Sequence, residues 1–143
     1  CLLQTQGNPD GHVILRGGKK PNYHEEDVAL CEAHMIKAGL TPSLMIDCSH
    51  GNSNKDFRRQ SVVVDSVIEQ IKKGNQSITG IMLESHINEG NQSSEQPRSE
   101  MKYGVSVTDA CISWETTESV LRNLHQQISP VLAQRAAQLR KVS

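Results

Sequence analysis

Short apolar runs alternate along this chain with longer stretches of helical periodicity. The runs are Val13-Ile14-Leu15, Leu44-Met45-Ile46 and Ile81-Met82-Leu83. Their length and side chains suit buried strands, predicted over 12–16, 44–47 and 77–83. The segment 25–38 carries Val28, Cys31 and Met35 at i, i+3 and i+7, one apolar stripe of a helix. Glu25, Glu26 and Asp27 place negative charge in its first turn, as the helix dipole prefers, and Gly39 stops it. A second helix is predicted over 60–73, with Val63, Val67, Ile68 and Ile71 on one face and Gly74-Asn75 as its stop. The stretch 85–107 has no periodicity, and a loop of that length in a compact domain is usually functional or disordered. A last helix begins near Thr116 or Thr117, with Val120, Leu121, Leu124 and Ile128 as its stripe. Pro130 ends or kinks it, and 131–143 reads as a short helical extension with a frayed basic tail. Gly7-Asn8-Pro9-Asp10-Gly11 is a strong turn signal ahead of the first strand.

Each apolar run leads into a polar residue that can do chemistry. The first reaches Arg16, the second His50 and the third Glu84, at equal intervals along the chain. A strand, a helix and two loops fill such an interval, which points to a repeated βα unit and an α/β fold with a parallel sheet. In such sheets reactive groups collect at the C-terminal ends of the strands. An arginine, a histidine and a carboxylate at one rim suggest an anion site beside a metal or an acid/base pair. Three strands are few for a parallel sheet that must be covered on both faces. The order therefore fits half of a doubly wound sheet or part of an eight-stranded barrel. A complete barrel takes about 250 residues, and this sequence has 143. Cys1-Leu2-Leu3-Gln4-Thr5-Gln6 also reads like the middle of an element, so the chain is expected to be a piece of a longer one.

Composition narrows the function classes. A content of 36% hydrophobic and 22% charged residues is that of a globular domain. The net charge of −1 provides no general pull toward nucleic acid or anionic lipid. Tyr23, Phe57, Tyr103 and Trp114 are too few for a base-stacking surface. No apolar run approaches the roughly 20 residues of a membrane span. The expectation is a cytoplasmic protein with neither nucleic-acid nor membrane partners. Cys1, Cys31, Cys48 and Cys111 show no CxxC and no paired spacing, so they are read as free thiols.

Four longer motifs carry a resemblance. They are HVILRGGKKPN at 12–22, MIDCSHGNSNK at 45–55, GIMLESHINEGNQ at 80–92 and YGVSVTDACISWE at 103–115. In this order they closely resemble the C-terminal part of the class I 3-deoxy-D-arabino-heptulosonate 7-phosphate (DAHP) synthases, from Leu2 to about Gln134. The resemblance implies a (β/α)8 TIM barrel, of which 1–143 would be the C-terminal portion, about three βα units of a single catalytic domain. It implies condensation of phosphoenolpyruvate with erythrose 4-phosphate, with release of phosphate, at the entry to the shikimate pathway and aromatic amino acids. It implies a divalent metal held by His50, Glu84 and Asp109, with His50 also counted as catalytic. A cysteine ligand would lie upstream and is not transferred to Cys48 or Cys111. Arg16 of LRGG would bind phosphoenolpyruvate. The wording LLQTQGNPDGHVILRGGK and GNQSSEQPRSEMKYGVSVTDACISWE looks most like the tyrosine-sensitive form, which implies tyrosine as inhibitor. A homo-oligomer is expected for the full-length enzyme, and no activity for these 143 residues alone.

The donor set agrees with that implication. One imidazole and two carboxylates suit Mn²⁺, Fe²⁺, Co²⁺ or Zn²⁺. Arginine presents a planar fork that matches phosphate or carboxylate in two bonds. Each residue taken alone has a plainer reading. His50 could be a hydrogen-bonded loop residue, Glu84 a lysine partner, Asp109 a helix cap and Arg16 a structural ion pair. His86 reads as a neighbour of the site or a surface residue, and Cys48 as packing. His12, His24, His34 and His125 have no motif support. Two other classes compete with the synthase: a related enzyme making another 3-deoxy sugar acid phosphate, and a non-catalytic half-barrel acting as a subunit or regulatory partner.

Overall fold

The computed structural model of the chain describes residues 1–8 and 10–139. Pro9 of the predicted turn and the end of the basic tail, 140–143, lie outside the described residues. The order is β1 (Val13–Leu15), α1 (Glu25–Lys37), β2 (Leu44–Asp47), α2 (Gln60–Lys72), β3 (Ile78–Met82) and α3 (Trp114–Leu139). The strands form one parallel sheet in the order β1-β2-β3. Val13, Ile14 and Leu15 pair with Leu44, Met45 and Ile46, and β2 pairs onward to Ile78, Gly80, Ile81 and Met82 with one irregularity between Leu44 and Met45. The α/β class expected from the alternation is therefore present as a three-stranded parallel sheet.

Both inter-strand helices stop by the same device. After α1 the Leu40 N–H reaches back to the Met35 carbonyl and the Gly39 N–H to Ile36. After α2 the Asn75 N–H bonds Gln70 and the Gly74 N–H bonds Ile71. This is the Schellman pattern, and Gly39 and Gly74 take the positive φ it requires, +75° and +111°. Each helix then delivers the chain directly into the next strand.

The helix-side core joins Leu15, Leu44, Ile46 and Ile78 of the sheet to Val28 and Met35 of α1 and Val63, Val64, Val67, Ile68 and Ile71 of α2. The apolar stripe read for α2 is fully buried. In α3, Val120, Leu124 and Ile128 pack against this core, together with Val131, while Leu121 is turned outward. Consecutive strand order with right-handed crossovers puts α1 and α2 on one side of the sheet. The other side carries Ile14, Met45 and Gly80 in register, and Ile14 stays half exposed.

Two expectations about α3 are corrected. It starts at Trp114, because the Ser113 hydroxyl accepts the Thr116 N–H and caps the first turn. It also continues through Pro130 to Leu139. Pro130 removes one backbone donor, but the turns on either side remain helical. The stretch 85–107 is tied rather than loose. The Gln92 side chain donates to the carbonyls of Lys102 and Val105 at 2.8 and 2.9 Å and accepts the Lys102 N–H at 2.8 Å. Asn88 adds bonds to the carbonyls of Gly104 and Tyr103, so the loop is closed on itself at two points. Among the described residues no helix is long and apolar enough to cross a membrane, and all four cysteines are free.

The loops after β1 and β2 meet backbone to backbone at Gly17 and Gly51. A Cβ added at Gly17 would meet the Gly51 carbonyl carbon at 2.5 Å, and Gly17 has φ +74°. A Cβ at the adjacent Gly18 meets nothing. Gly17→Ala should cost about 1–3 kcal/mol from backbone conformation alone, with the clash added. Gly18→Ala should stay within about 0.5 kcal/mol, as for other open surface positions. Urea unfolding of the two variants checks this, and equal midpoints would contradict the packing described.

Candidate metal centre

The C-terminal end of β2 turns sharply through Asp47-Cys48-Ser49-His50. His50 adopts φ +46°, rare for a residue with a side chain, and its carbonyl accepts the Lys55 N–H at 2.9 Å. Asp47 is 3% exposed. Its Oδ1 accepts the Ser49 N–H at 2.8 Å and its Oδ2 faces His50 Nδ1 at 2.7 Å. The strained turn and the buried carboxylate together aim the other ring nitrogen outward from the strand end.

His50 Nε2 lies 3.5 Å from Glu84 Oε1 and 3.5 Å from Asp109 Oδ2. Glu84 is gripped at both ends. Its backbone N–H donates to Gln60 Oε1 at 2.8 Å, and its carbonyl accepts from Gln60 Nε2 at 3.0 Å. Ser49 Oγ donates to its carboxylate at 2.5 Å. Gln60, the first residue of α2, is fully buried. Asp109 arrives by a different route. The Ile112 N–H bonds the Glu84 carbonyl, Gly90 and Cys111 exchange two backbone bonds, and Asn91 Nδ2 donates to the Thr108 carbonyl at 2.9 Å. Lys55 Nζ stands 3.5 Å from Asp109 Oδ2.

One ligand atom from each of His50, Glu84 and Asp109 lies within 4.8 Å of the others. Bonds of about 2.1 Å in tetrahedral geometry separate neighbouring ligand atoms by about 3.4 Å, close to the two 3.5 Å separations found here. The donor set of one nitrogen and two oxygens fits a borderline divalent ion. A cavity of about 270 Å³ opens beside them, with Lys55, Asn91 and Phe57 on its walls.

Of the sequence-predicted residues, His50, Glu84 and Asp109 are thus brought together. Arg16 sits at the same edge of the sheet but outside the cluster. Its carbonyl accepts the Gly51 N–H at 3.1 Å, and its side chain is exposed, without an ion pair among the described residues. Cys48 and Cys111 are buried and contribute no atom to the cluster, Cys111 Sγ instead donating to the Asp109 carbonyl at 3.5 Å. Burial, with Asp47 second, pushes the Cys48 thiol up to about 12, and burial also raises Cys111. His86 is exposed and bonds the Gly104 carbonyl. Asp109 is not the cap of α3, a role held by Ser113. Sequence reasoning missed Asp47, Ser49 and Gln60. Asp47, three residues before a strand-end histidine, was the one with a readable signal.

The sequence model of the family described as DAHP synthetase I family matches residues 1–122. Over 138 residues the chain is 75% identical to a Tyr-sensitive phospho-2-dehydro-3-deoxyheptonate aldolase of Enterobacter agglomerans, covering 96% of this chain and 65% of that protein. The Tyr-sensitive counterpart of Escherichia coli is 71% identical over 137 residues, covering 96% of this chain and 38% of its own. Among solved structures, the phospho-2-dehydro-3-deoxyheptonate aldolase of Francisella tularensis superposes with a TM-score of 0.82 at 44% identity, covering 87% of this chain and 36% of that one. The chain therefore spans between about a third and two thirds of the proteins it matches.

The grip on Glu84 can be checked by stability. Gln60→Leu leaves the Glu84 N–H without its partner in a buried setting and should cost about 1–3 kcal/mol. Lys55→Ala removes only a half-exposed ion pair and should cost at most about 1 kcal/mol. Thermal or denaturant unfolding of the two variants measures both, and a harmless Gln60→Leu would show that Glu84 is positioned otherwise.

Proposed function

The chain belongs to the DAHP synthetase I family, and from that membership we propose that it forms one flank of the active site of a synthase. The reaction joins phosphoenolpyruvate to erythrose 4-phosphate and releases phosphate, the entry step to aromatic amino acids. The observation that carries this reading is the convergence of His50, Glu84 and Asp109 at the strand ends, with Arg16 on the loop stapled alongside. The sheet supports three consecutive units of a (β/α)8 barrel. Strand order is sequential, α1 and α2 share one side, and the face bearing Ile14, Met45 and Gly80 is left for the interior.

In this reading His50, Glu84 and Asp109 hold Mn²⁺, Fe²⁺, Co²⁺ or Zn²⁺, which supplies a Lewis acid for the aldehyde oxygen or an oriented water. The chain's own residues do the positioning. Arg16 offers its guanidinium fork to the phosphate or carboxylate of phosphoenolpyruvate. Gly18, with open space at its Cβ position, lets a ligand approach the backbone beside it. Lys55 balances charge at Asp109 and stands at the mouth of the cavity. Phosphorylated substrates of this kind support a cytoplasmic location. Identities of 75% and 71% to proteins named Tyr-sensitive support tyrosine as the inhibitor.

The test separates metal from substrate. His50→Ala, Glu84→Gln and Asp109→Asn should each weaken Mn²⁺ binding, followed by the electron paramagnetic resonance of the free ion, and abolish condensation. Arg16→Ala should leave Mn²⁺ binding unchanged. It should raise the phosphoenolpyruvate concentration needed by about 10–100-fold, the loss of a charge-assisted bond of roughly 1.5–3 kcal/mol. Metal binding untouched by all three ligand substitutions would falsify the reading, and unchanged phosphoenolpyruvate kinetics in Arg16→Ala would remove that residue from it.

A further inference from the structure

We propose that Asp47 is a positioning residue that fixes the tautomer of His50, and that the Ser49 N–H makes its carboxylate irreplaceable by the isosteric amide. The proposal rests on the metal reading of the cluster, and its reasoning uses only the geometry beneath it.

The two oxygens of Asp47 have separate tasks. Oδ1 is taken by the Ser49 N–H at 2.8 Å, a local turn bond. Oδ2 is left for His50 Nδ1 at 2.7 Å. A turn cap needs only the first bond, so the second is an additional feature of this site. Asp47 is 3% exposed, and a carboxylate so deep is retained only with donors on it. It cannot itself donate. With Asp47 Oδ2 as its partner, Nδ1 is the ring nitrogen placed to carry the proton of the neutral imidazole, which leaves Nε2 as the one that can offer a lone pair on the side of Glu84 and Asp109. A metal-binding histidine needs that arrangement, and a carboxylate on its distal nitrogen also raises the basicity of the ligating one.

Asp47→Asn changes one atom and inverts this logic. An asparagine has one acceptor and one donor group at the same two positions. The Ser49 N–H is a fixed backbone donor, so the amide oxygen must stay on it. The amide NH₂ then replaces Oδ2 and donates to Nδ1. The ring proton moves to Nε2, into the space where a cation would sit. Flipping the amide to recover the original tautomer would set its NH₂ against the Ser49 N–H, donor against donor at 2.8 Å. The backbone cannot swing away to relieve this, because the Asp47 carbonyl accepts from the buried Asn52 Nδ2 at 2.8 Å.

The experiment compares the parent protein, Asp47→Asn and His50→Ala. Nitrogen-15 shifts of the His50 ring are recorded without metal through an alkaline pH series, up to the point where they stop changing and report the neutral ring. Mn²⁺ affinity is read from the resonance of the free ion. The parent should show a protonated Nδ1 and a bare Nε2. Asp47→Asn should show the reverse, and should bind Mn²⁺ about 10–100-fold more weakly with an unchanged circular dichroism spectrum. A bare Nδ1 in the parent overturns the proposal even if Asp47→Asn fails to fold. The same tautomer in parent and variant, or equal Mn²⁺ affinity in the two, overturns it as well. Equal affinity in the parent and His50→Ala overturns the metal reading instead, and the ring shifts still decide the tautomer.

Discussion

Asn52 holds together what lies above the sheet. It is fully buried, and each of its polar groups is committed. Nδ2 donates to the carbonyls of Leu15 and Asp47 at 2.9 and 2.8 Å, the last residues of β1 and β2. Oδ1 accepts the Asn22 N–H at 2.8 Å, and Asn22 returns its own side-chain oxygen to the Gly17 N–H at 2.7 Å. With the Gly51 N–H on the Arg16 carbonyl, the ladder of β1 and β2 is extended past the strands into both loops. Gly17 and Gly51 touch backbone to backbone, so the strand spacing is preserved where side chains would force it open. The Arg16 side chain makes no ion pair among the described residues, and its place comes entirely from this backbone frame.

The three members of the cluster are held with unequal firmness. The side chains of His50 and Glu84 are 17% and 21% exposed, while Asp109 is 50% exposed. The first two stand at strand ends and are fixed by buried neighbours, Asp47 and Gln60. The third hangs from a loop closed by Gln92 and joined to the strand end by isolated backbone pairs. On the metal reading, two rigid donors and one more adaptable one would suit ions of somewhat different size.

Much of this frame was readable in the sequence because the physics was local. Val63, Val67, Ile68 and Ile71 repeat with the helical period, and all four are buried. Gly39 and Gly74 mark helix ends through the φ they alone adopt cheaply. The positions of His50 and Glu84 followed from short apolar runs, and Asp109 from a motif resemblance. The roles of Gln60, Ser49 and Asn52 depend on partners far along the chain, Gln60 on Glu84 and Asn52 on Leu15. No periodicity encodes such pairings. Pro130 misled because a proline penalty is local, whereas α3 is held on both sides of it by Ile128 and Val131 against the core. Leu121 misled in the opposite sense, since it lies on the stripe by spacing but stays 44% exposed and outside the core.

The gathered side chains also bear on the folding equilibrium. Glu84 and Asp109 bring like charges within a few ångströms of each other, and in the unfolded chain they are apart and hydrated. Native structure therefore carries a local repulsion that Lys55 offsets only from an exposed position. A cation that fits the cluster would bind the folded form and find no comparable site in the unfolded one. By mass action it raises the unfolding free energy by about 2.7 kcal/mol at one hundred times its dissociation constant. On the metal reading proposed above, ion supply would bear on how long the polypeptide survives, independent of any turnover it supports.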